Sequence, residues 1–213
     1  MSILKIVEYG NPILREKSKE VTKISKKIKT LITDMLDTMY HANGVGLAAP
    51  QVGENLRIFV IDVSDPNGPI NPLVFVNPKI IKKSGAISSY EGCLSFPKAY
   101  TIVRRYKNVM VKALDINGRP FVKEAKDGEL LARAIQHEFD HLDGKLFIDH
   151  CRNRFDANNV LAKYNLPSIQ EECLVDEPEL EEEILKWEKE NPAEAEKLRK
   201  EIEELENGKT NAD

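Results

Sequence analysis

The chain has 213 residues, of which 41 % are hydrophobic, and its formal net charge is −4. This composition is typical of a folded domain and excludes a disordered polymer, and no apolar run approaches the roughly 20 residues that a membrane helix needs. The N-terminal stretch MSILKIVEYG lacks the pattern of a secretory signal, and three widely spaced cysteines do not indicate a disulfide framework, so we expect a cytoplasmic protein.

The first two thirds of the chain predict one helix followed by a series of strands. Residues 25–42 repeat apolar positions at helical spacing, and Asn43-Gly44 is expected to end the helix because glycine tolerates a left-handed backbone. Asn117-Gly118 marks a hairpin turn, and short turns between successive strands favour an antiparallel sheet. The predicted strands are 57–63, 73–81, 84–90, 100–105, 108–115 and 120–126.

A second helix is predicted at 128–142, with Asp127 as its N-cap and Gly144 beyond its end. Side chains that advance by four, three and four residues share one face of this helix. They are Leu130, Ala134, His137 and His141. A further helix is predicted at 152–164. The sequence therefore predicts an α+β fold in which antiparallel β-sheets pack around a central helix, with N-terminal and C-terminal helices.

The charges are unevenly distributed along the chain. Residues 1–167 carry 25 Lys/Arg and 18 Asp/Glu, a net charge of +7, whereas residues 168–213 carry 6 Lys/Arg and 17 Asp/Glu, a net charge of −11. The acidic part repeats apolar residues at helical spacing, at Leu180, Ile184 and Trp187 and again at Leu198, Ile202 and Leu205. We therefore predict a main domain at 1–167 and an acidic, helical C-terminal extension at 168–213.

The stretch QHEFDH, residues 136–141, has the spacing of a metal site. Residues four apart on a helix lie one above the other, so His137 and His141 can bind one ion, and Glu138 beside them can move protons. Two surface histidines on a charged helix are the alternative. A catalytic metal usually has three protein ligands, so the stretch leaves one ligand to be found.

Three positions compete for that third ligand. In the long form of the motif the ligand falls at Phe147, which cannot bind a metal. A downstream glutamate is a second option, but Glu171 and Glu172 lie in a segment where glutamate is common by composition. Cys93, in EGCLSFP, offers a soft thiolate that suits a transition metal together with two imidazoles. Taken alone, Cys93 also fits a small buried hydrophobe.

A further stretch, GVGLAAPQVG at 44–53, begins with two glycines separated by one residue and contains an amide side chain. Glycines permit close approach of a ligand to the backbone, and the Gln51 amide is a suitable donor to an oxyanion. Three stretches together resemble the motifs of the peptide deformylases, which read G-φ-G-L-A-A-x-Q, E-G-C-L-S and Q-H-E-x-D-H-L, where φ is apolar. Here they stand as GVGLAAPQ (44–51), EGCLS (91–95) and QHEFDHL (136–142).

The resemblance covers roughly residues 1–165, so it identifies 1–167 as the expected catalytic domain and the central helix as its metal-binding helix. It implies a hydrolase that removes the formyl group from the N-terminal formyl-methionine of new bacterial proteins. It also implies one divalent metal per chain, Fe(II) in the cell, for which Ni, Co or Zn can substitute. The implied ligands are Cys93, His137 and His141, the implied general acid/base is Glu138, and the implied oxyanion hole is Gln51 with the backbone N–H of Leu94.

The resemblance also implies how the substrate binds. The backbone of Val45 and Gly46 is expected to bind the peptide as an extended strand. The methionine side chain is expected to enter an apolar pocket, whose walls would be Val45, Leu130, Ala134 and His137. Tyr100 departs from some members of the family, which have an arginine near the substrate chain, and this concerns preferences beyond the first residue.

Nascent formyl-methionyl chains are the expected partner, near the exit tunnel of the ribosome, and neither a membrane nor sequence-specific nucleic acid is expected. The helix at 152–164 would lie near the docking contact, with the basic residues Arg152, Arg154 and Lys163. Two alternatives remain: a metal-dependent endopeptidase of the HExxH type, which needs a downstream ligand, and a non-catalytic metal- or ribosome-binding protein, which predicts loss of Glu138 or Gln51.

The remaining histidines and cysteines receive no role in the site from the sequence. His41 and His150 are expected to cap helices or lie at the surface, since the ligand set is complete without them. Cys151 and Cys173 are expected to be ordinary thiols.

Overall fold

The computed structural model describes residues 2–65, 68–151, 153–170, 173–175, 177–190, 192–193, 196 and 200. The helices in this part of the chain are α1 (Lys26–His41), α2 (Leu130–Leu142), α3 (Arg154–Lys163) and α4 (Pro178–Glu190). The strands are β1 (Gly46–Ala48), β2 (Ile58–Ile61), β3 (Leu73–Cys93), β4 (Phe96–Leu114) and β5 (Pro120–Ala125). Short 3-10 turns occupy Pro12–Arg15, Ala49–Val52 and Phe147–His150.

The strands form one antiparallel sheet in the order β1-β2-β3-β4-β5. This confirms the predicted α+β fold with antiparallel strands. The predicted division of β3 and β4 into shorter strands is wrong, because both run on continuously. Register shifts near Val76 and Ile80 bend β3 without ending it, and Gly85 takes a left-handed backbone (φ +64°) inside the strand. The polar stretch before Gly85 therefore resembles a turn in the sequence but is a bulged strand.

Helix α1 begins at Ser25, whose hydroxyl accepts a hydrogen bond from the Ile28 N–H. Its apolar face, which includes Ile32, Met35 and Met39, packs in one buried cluster with residues of β1 and β2. Helix α1 ends where the sequence predicts, but the residue with the left-handed backbone is Asn43 (φ +54°) rather than glycine. Asparagine tolerates this conformation because its short polar side chain bonds locally.

Helix α2 begins at Leu130, so the prediction of Asp127 as its N-cap is wrong. Asp127 and Gly128 have φ values of +55° and +67°, and together they form a turn before the helix. The Gly128 N–H donates to the Lys107 carbonyl at 2.8 Å, which holds this turn against β4. The N-cap residue is Glu129, whose side chain accepts no capping hydrogen bond. Helix α2 lies across the sheet with contacts to β1, β2, β4 and β5.

The first part of the acidic extension packs against the domain. Ile169 is buried in the cluster that contains Phe96 and Phe147, and Leu180 of α4 is buried in the cluster that contains Ala86 and Tyr106. Helix α4 lies on β3 and β4. The second predicted helical repeat lies outside the described residues, at Leu198, Ile202 and Leu205, as do Arg152, Glu171 and Glu172. Among the described helices, none has both the length and the apolar character to cross a membrane.

Candidate metal centre

Cys93, His137 and His141 come together where the end of β3 meets the middle of α2. One donor atom from each lies within 4.8 Å of the other two. Cys93 Sγ is 3.3 Å from His141 Nε2, and the two imidazole rings have centroids 5.2 Å apart. The helical spacing of four residues places both histidines on the buried face of α2, as the sequence predicts, and the structure adds the cysteine from the sheet.

This donor set fits a divalent transition metal. With bonds of roughly 2.3 Å to sulfur and 2.1 Å to nitrogen, a tetrahedral ion holds its donors roughly 3.5 Å apart. The sulfur–nitrogen distance of 3.3 Å is close to that value. Three protein donors leave a fourth position for water or substrate, which is the arrangement of catalytic rather than structural sites.

Glu138 lies beside the donors and is packed against the backbone of β1. A Cβ built on Gly46 would be 2.4 Å from Glu138 Oε1, so this position accommodates the carboxylate only because residue 46 has no side chain. Glu138 Oε2 is buried without a hydrogen-bond partner among the described residues. Burial raises the pKa of Glu138 to about 7. A carboxylate with this pKa can both accept and donate a proton near neutral pH.

Gln51 is held with its amide nitrogen toward Cys93. Its Oε1 accepts a hydrogen bond from the Ala48 N–H at 2.8 Å, which leaves Nε2 to donate to Cys93 Sγ at 3.4 Å and to Ser95 Oγ at 3.3 Å. Leu94 follows Cys93 in the turn between β3 and β4, and its side chain packs closely over Gly44. The Gln51 amide nitrogen therefore lies next to the thiol, and Leu94 is the next residue in the chain.

His137 is oriented by a buried carboxylate that the sequence reasoning missed. His137 Nδ1 lies 3.0 Å from Glu91 Oε2, which leaves Nε2 to face the other donors. Arg105 in turn bonds both oxygens of Glu91, at 3.0 Å each. The Arg105 guanidinium also pairs with Asp140 and lies 3.2 Å from His150 Nε2.

His150 is predicted to cap a helix or to lie at the surface, and the second of these alternatives is wrong. It is buried, and its Nε2 is 2.8 Å from Asp140 Oδ2. The short turn Phe147–His150 folds back under α2 and brings this ring to the Arg105 network. His41 is exposed, as expected. Cys151 is buried, and burial raises the pKa of its thiol to about 12, which makes it an unreactive group.

The buried network behind His137 carries well-defined charges. Burial alone would raise the pKa of Glu91, but the adjacent Arg105 guanidinium and His137 bring it down to about 2. The pKa of Asp140 is also held below its ordinary value, because His150 and Arg105 outweigh its burial. Both carboxylates are therefore ionised at neutral pH, and the single positive charge of Arg105, which pairs with both of them, offsets part of their negative charge.

The residues that the sequence predicts to bind substrate differ in their exposure. Val45 and Leu130 are 43 % and 41 % exposed, whereas Gly46, Ala134 and His137 are buried. Leu130 therefore departs from the buried stripe that the sequence assigned to it, because it is the first residue of α2 and faces solvent. The apolar side chains of Val45 and Leu130 are thus exposed, whereas the two histidines of the metal-ligand set are buried.

A family model described as "Polypeptide deformylase" matches residues 3–156. Curated relatives agree with it. The peptide deformylase of Endomicrobium trichonymphae is 52 % identical over 150 residues, which is 70 % of this chain and 87 % of the relative. Peptide deformylase 1 of Clostridium perfringens is 50 % identical over 150 residues, which is 70 % of this chain and 99 % of the relative.

Solved structures show the same similarity in three dimensions. A peptide deformylase from Synechococcus elongatus, crystallised with actinonin, aligns with a TM-score of 0.71 and 44 % identity over 77 % of this chain and 87 % of the other. The peptide deformylase of Thermus thermophilus aligns with a TM-score of 0.69 and 38 % identity over 76 % of this chain and 93 % of the other.

Proposed function

The chain belongs to the polypeptide deformylase family, and on that premise we propose the residues that carry its reaction. It is a metal-dependent hydrolase that removes the formyl group from the N-terminal formyl-methionine of newly synthesised proteins. Hydrolysis breaks the bond between the formyl carbon and the methionine nitrogen, and it yields formate and a free amine. The clustering of one donor atom each from Cys93, His137 and His141 is the observation that carries our assignment.

We assign Cys93, His137 and His141 as the metal ligands. A divalent metal at these donors supplies Lewis acidity, which polarises the formyl carbonyl and makes water nucleophilic at neutral pH. Glu91 fixes the tautomer of His137 by accepting a hydrogen bond from Nδ1. Arg105 keeps Glu91 ionised and in place for that purpose.

We assign Glu138 as the group that moves protons. It accepts a proton from the attacking water and passes it to the methionine nitrogen as the C–N bond breaks, and it is thereby restored. The Gln51 amide and the Leu94 N–H bind the negative charge that develops on the formyl oxygen. Each such donor lowers the barrier by about 3 kcal/mol.

We assign the backbone of Val45 and Gly46 to the extended peptide. We assign an apolar pocket with walls from Val45, Leu130, Ala134 and His137 to the methionine side chain. The exposure of Val45 and Leu130 supports this, since apolar side chains at the mouth of a site are available to an apolar ligand. Replacing Ala134 with a larger residue such as leucine is expected to raise KM for formyl-methionyl peptides, because it fills the pocket.

We propose Fe(II) as the metal in the cell. Thiolate and imidazole donors suit iron as well as nickel, cobalt and zinc, so the redox behaviour has to discriminate among them. The iron form is expected to lose activity in air, through oxidation of the metal or of Cys93, whereas the nickel form survives. Equal lifetimes of both forms in air would contradict iron as the working metal.

We also propose that the enzyme works in the bacterial cytoplasm on chains that emerge from the ribosome. Arg154 and Lys163 of α3 give this helix positive charge that suits ribosomal RNA. Co-sedimentation with ribosomes is expected to weaken with salt and with Arg154→Glu/Lys163→Glu, but not with Lys29→Glu on α1. If Arg154→Glu/Lys163→Glu left ribosome binding unchanged, this result would contradict the proposal that α3 is the contact.

We propose that residues 1–167 form the catalytic domain. We further propose that residues 168–213 are an acidic extension that packs against this domain and stabilises it. Truncation after Pro167 exposes the apolar surfaces that Ile169 and Leu180 cover. Burying two such side chains stabilises a fold by about 3 kcal/mol or more. The truncated chain is therefore expected to hydrolyse short formyl peptides but to unfold at a lower urea concentration. An unchanged urea midpoint would contradict a stabilising role for the extension.

The test of the function is to incubate anaerobically purified protein with formyl-Met-Ala-Ser and to measure formate and free amine. Equal amounts of formate and amine are expected, with no product from acetyl-Met-Ala-Ser or from unformylated peptide. Glu138→Gln is the matched control, since it keeps the ligands but removes the proton carrier. Cleavage at an internal peptide bond would favour an endopeptidase, and metal or ribosome binding without formate would favour a binding protein.

A further inference from the structure

The segment that joins α3 to α4 lies against the short turn Phe147–His150. This connecting segment comprises residues 169–175 and is described except at 171 and 172. Its Val175 N–H donates to the Asp149 carbonyl at 2.9 Å. Its Ile169 side chain is buried in the same apolar cluster as the first residues of the turn. The acidic extension therefore contacts this turn as well as the sheet under α4.

Asp149, the residue before His150, is held through both its side chain and its backbone. Its carboxylate bonds the Arg15 guanidinium at 2.5 and 3.0 Å, and its carbonyl accepts the hydrogen bond from the connecting segment. Arg15 thus fixes only the side chain of this residue. The backbone that carries the His150 ring depends on the connecting segment.

The His150 ring reaches the buried charges behind the metal-ligand set. Its Nε2 lies 2.8 Å from Asp140 Oδ2 and 3.2 Å from the nearer nitrogen of Arg105. An ionised carboxylate only accepts hydrogen bonds, so the bond to Asp140 requires that Nε2 carries the hydrogen. Asp140 Oδ2 therefore accepts from two groups, the His150 ring and the Arg105 guanidinium.

This arrangement links His150 to the orientation of His137. The single positive charge of Arg105 is shared between Asp140 and Glu91, and Glu91 in turn bonds His137 Nδ1. Without the hydrogen bond from His150, Asp140 would have Arg105 as its only partner among these groups and would attract it more strongly. Arg105 would then hold Glu91 less firmly, and Glu91 would hold the His137 ring less firmly.

We propose that His150 is a positioning residue for the metal ligands and that the connecting segment of the acidic extension holds it in place. His150 acts through Asp140, Arg105 and Glu91 and slows the loss of the metal. This inference rests on the ligand assignment of the proposed function. It adds to that function a role for the extension at the metal site.

The experiment measures how fast nickel leaves the enzyme. Nickel-loaded protein is incubated with excess EDTA, without substrate or urea, and the nickel that remains on the protein is measured by elemental analysis. His150→Phe keeps a ring but removes the hydrogen bond. It is expected to lose nickel about 10-fold faster than the wild type, the lower end of the range for outer partners of metal-binding histidines. His150→Gln offers an amide N–H in place of Nε2–H and is expected to restore slow loss.

Two truncations separate the connecting segment from α4. A chain that ends after Pro167 lacks both and is expected to lose nickel about as fast as His150→Phe. A chain that ends after Val175 keeps the segment and is expected to lose nickel as slowly as the wild type, although it unfolds at a lower urea concentration. Adding His150→Phe to the shorter chain is expected to speed the loss no further, because both changes release the same ring.

Ile32→Ala is the control for a general loss of stability. Ile32 is fully buried in α1, in a different apolar cluster from the turn. This variant is expected to unfold at a lower urea concentration but to lose nickel at the wild-type rate.

Nickel loss from His150→Phe at the rate of the wild type, or at the same raised rate as from Ile32→Ala, would overturn the role of His150. Equal rates from the two truncations would overturn the role of the connecting segment. A wild type that binds no nickel would overturn the ligand assignment, and this inference with it. Absence of formate from a wild type that does bind nickel would overturn the proposed function alone, since nickel loss is measured without substrate.

Discussion

Replacing Gly46 with alanine displaces Glu138 without altering any charged group. The added Cβ would lie 2.4 Å from Glu138 Oε1 and 2.9 Å from its Cδ, whereas ordinary contact begins at 3.4 Å. The Glu138 carboxylate must therefore retreat by about 1 Å. The backbone of Gly46 does not need the left-handed region, so alanine adds no strain there. A misplacement of about 1 Å in a reacting group costs on the order of 10²-fold in rate.

We therefore expect kcat of Gly46→Ala to fall about 10²-fold, with one metal still bound per chain and a loss of stability of about 1 kcal/mol from overpacking. Formate release, elemental analysis and urea unfolding measure these three quantities. Because both changes disable the same group, Gly46→Ala/Glu138→Gln is expected to be no slower than Glu138→Gln alone. If the effects of Gly46→Ala and Glu138→Gln on kcat multiplied in the double variant, this reasoning would be refuted. An undiminished kcat of Gly46→Ala would refute it as well.

Three other predictions concern the metal ligand Cys93, the buried Arg105 and the Asp62 carboxylate. Cys93→Ala leaves two protein ligands, so elemental analysis should find almost no metal, and one tightly bound metal per chain would refute the ligand assignment. Arg105→Ala leaves Glu91 buried without its cation and should cost about 3–5 kcal/mol in urea unfolding, whereas a loss below 1 kcal/mol would argue against the network. Asp62, whose pKa lies below 3.8 because hydrogen bonds from Ser64 and Tyr40 outweigh its burial, stabilises the fold above about pH 4 and loses this effect as pH falls further. Asp62→Asn should therefore be less stable than the wild type at pH 7 and by a smaller margin at pH 2, and an equal difference at both values would contradict the assignment.

The helix that carries two of the ligands could be predicted because its signal is local. His137 and His141 are four residues apart, and this spacing alone places both imidazoles on one face. The helices α1 and α2 could also be predicted from the sequence, since both have clear apolar stripes. The residue Cys93, by contrast, reaches the site through the sheet, so spacing alone left it among three candidates.

The network behind His137 could not be predicted from the sequence. Glu91 and Asp140 stand inside the motif stretches, so their acidity was visible, but their partners were not. Arg105 and His150 approach them only when β4 crosses α2 and the Phe147–His150 turn folds back. Charged residues are rarely buried unless they are paired, so without a known partner the sequence favours the surface for His150.

The strand boundaries failed for a different reason. Bulges and a left-handed glycine interrupt the alternation of β3 without breaking its pairing with β4, and in the sequence they resemble turns. The same continuity brings Tyr90, Gly92 and Tyr100 into register. A prediction that divides β3 and β4 into short strands cannot place the two tyrosines face to face.

Hydrolysis in water enriched in ¹⁸O tests the central claim most directly. The reaction breaks the formyl C–N bond, so one oxygen from water enters formate and none enters the peptide. Mass spectrometry of the products from formyl-Met-Ala-Ser is predicted to find one ¹⁸O in formate and an unlabelled Met-Ala-Ser with a free amine. Label in a new peptide carboxylate, without labelled formate, would contradict the account and indicate an endopeptidase.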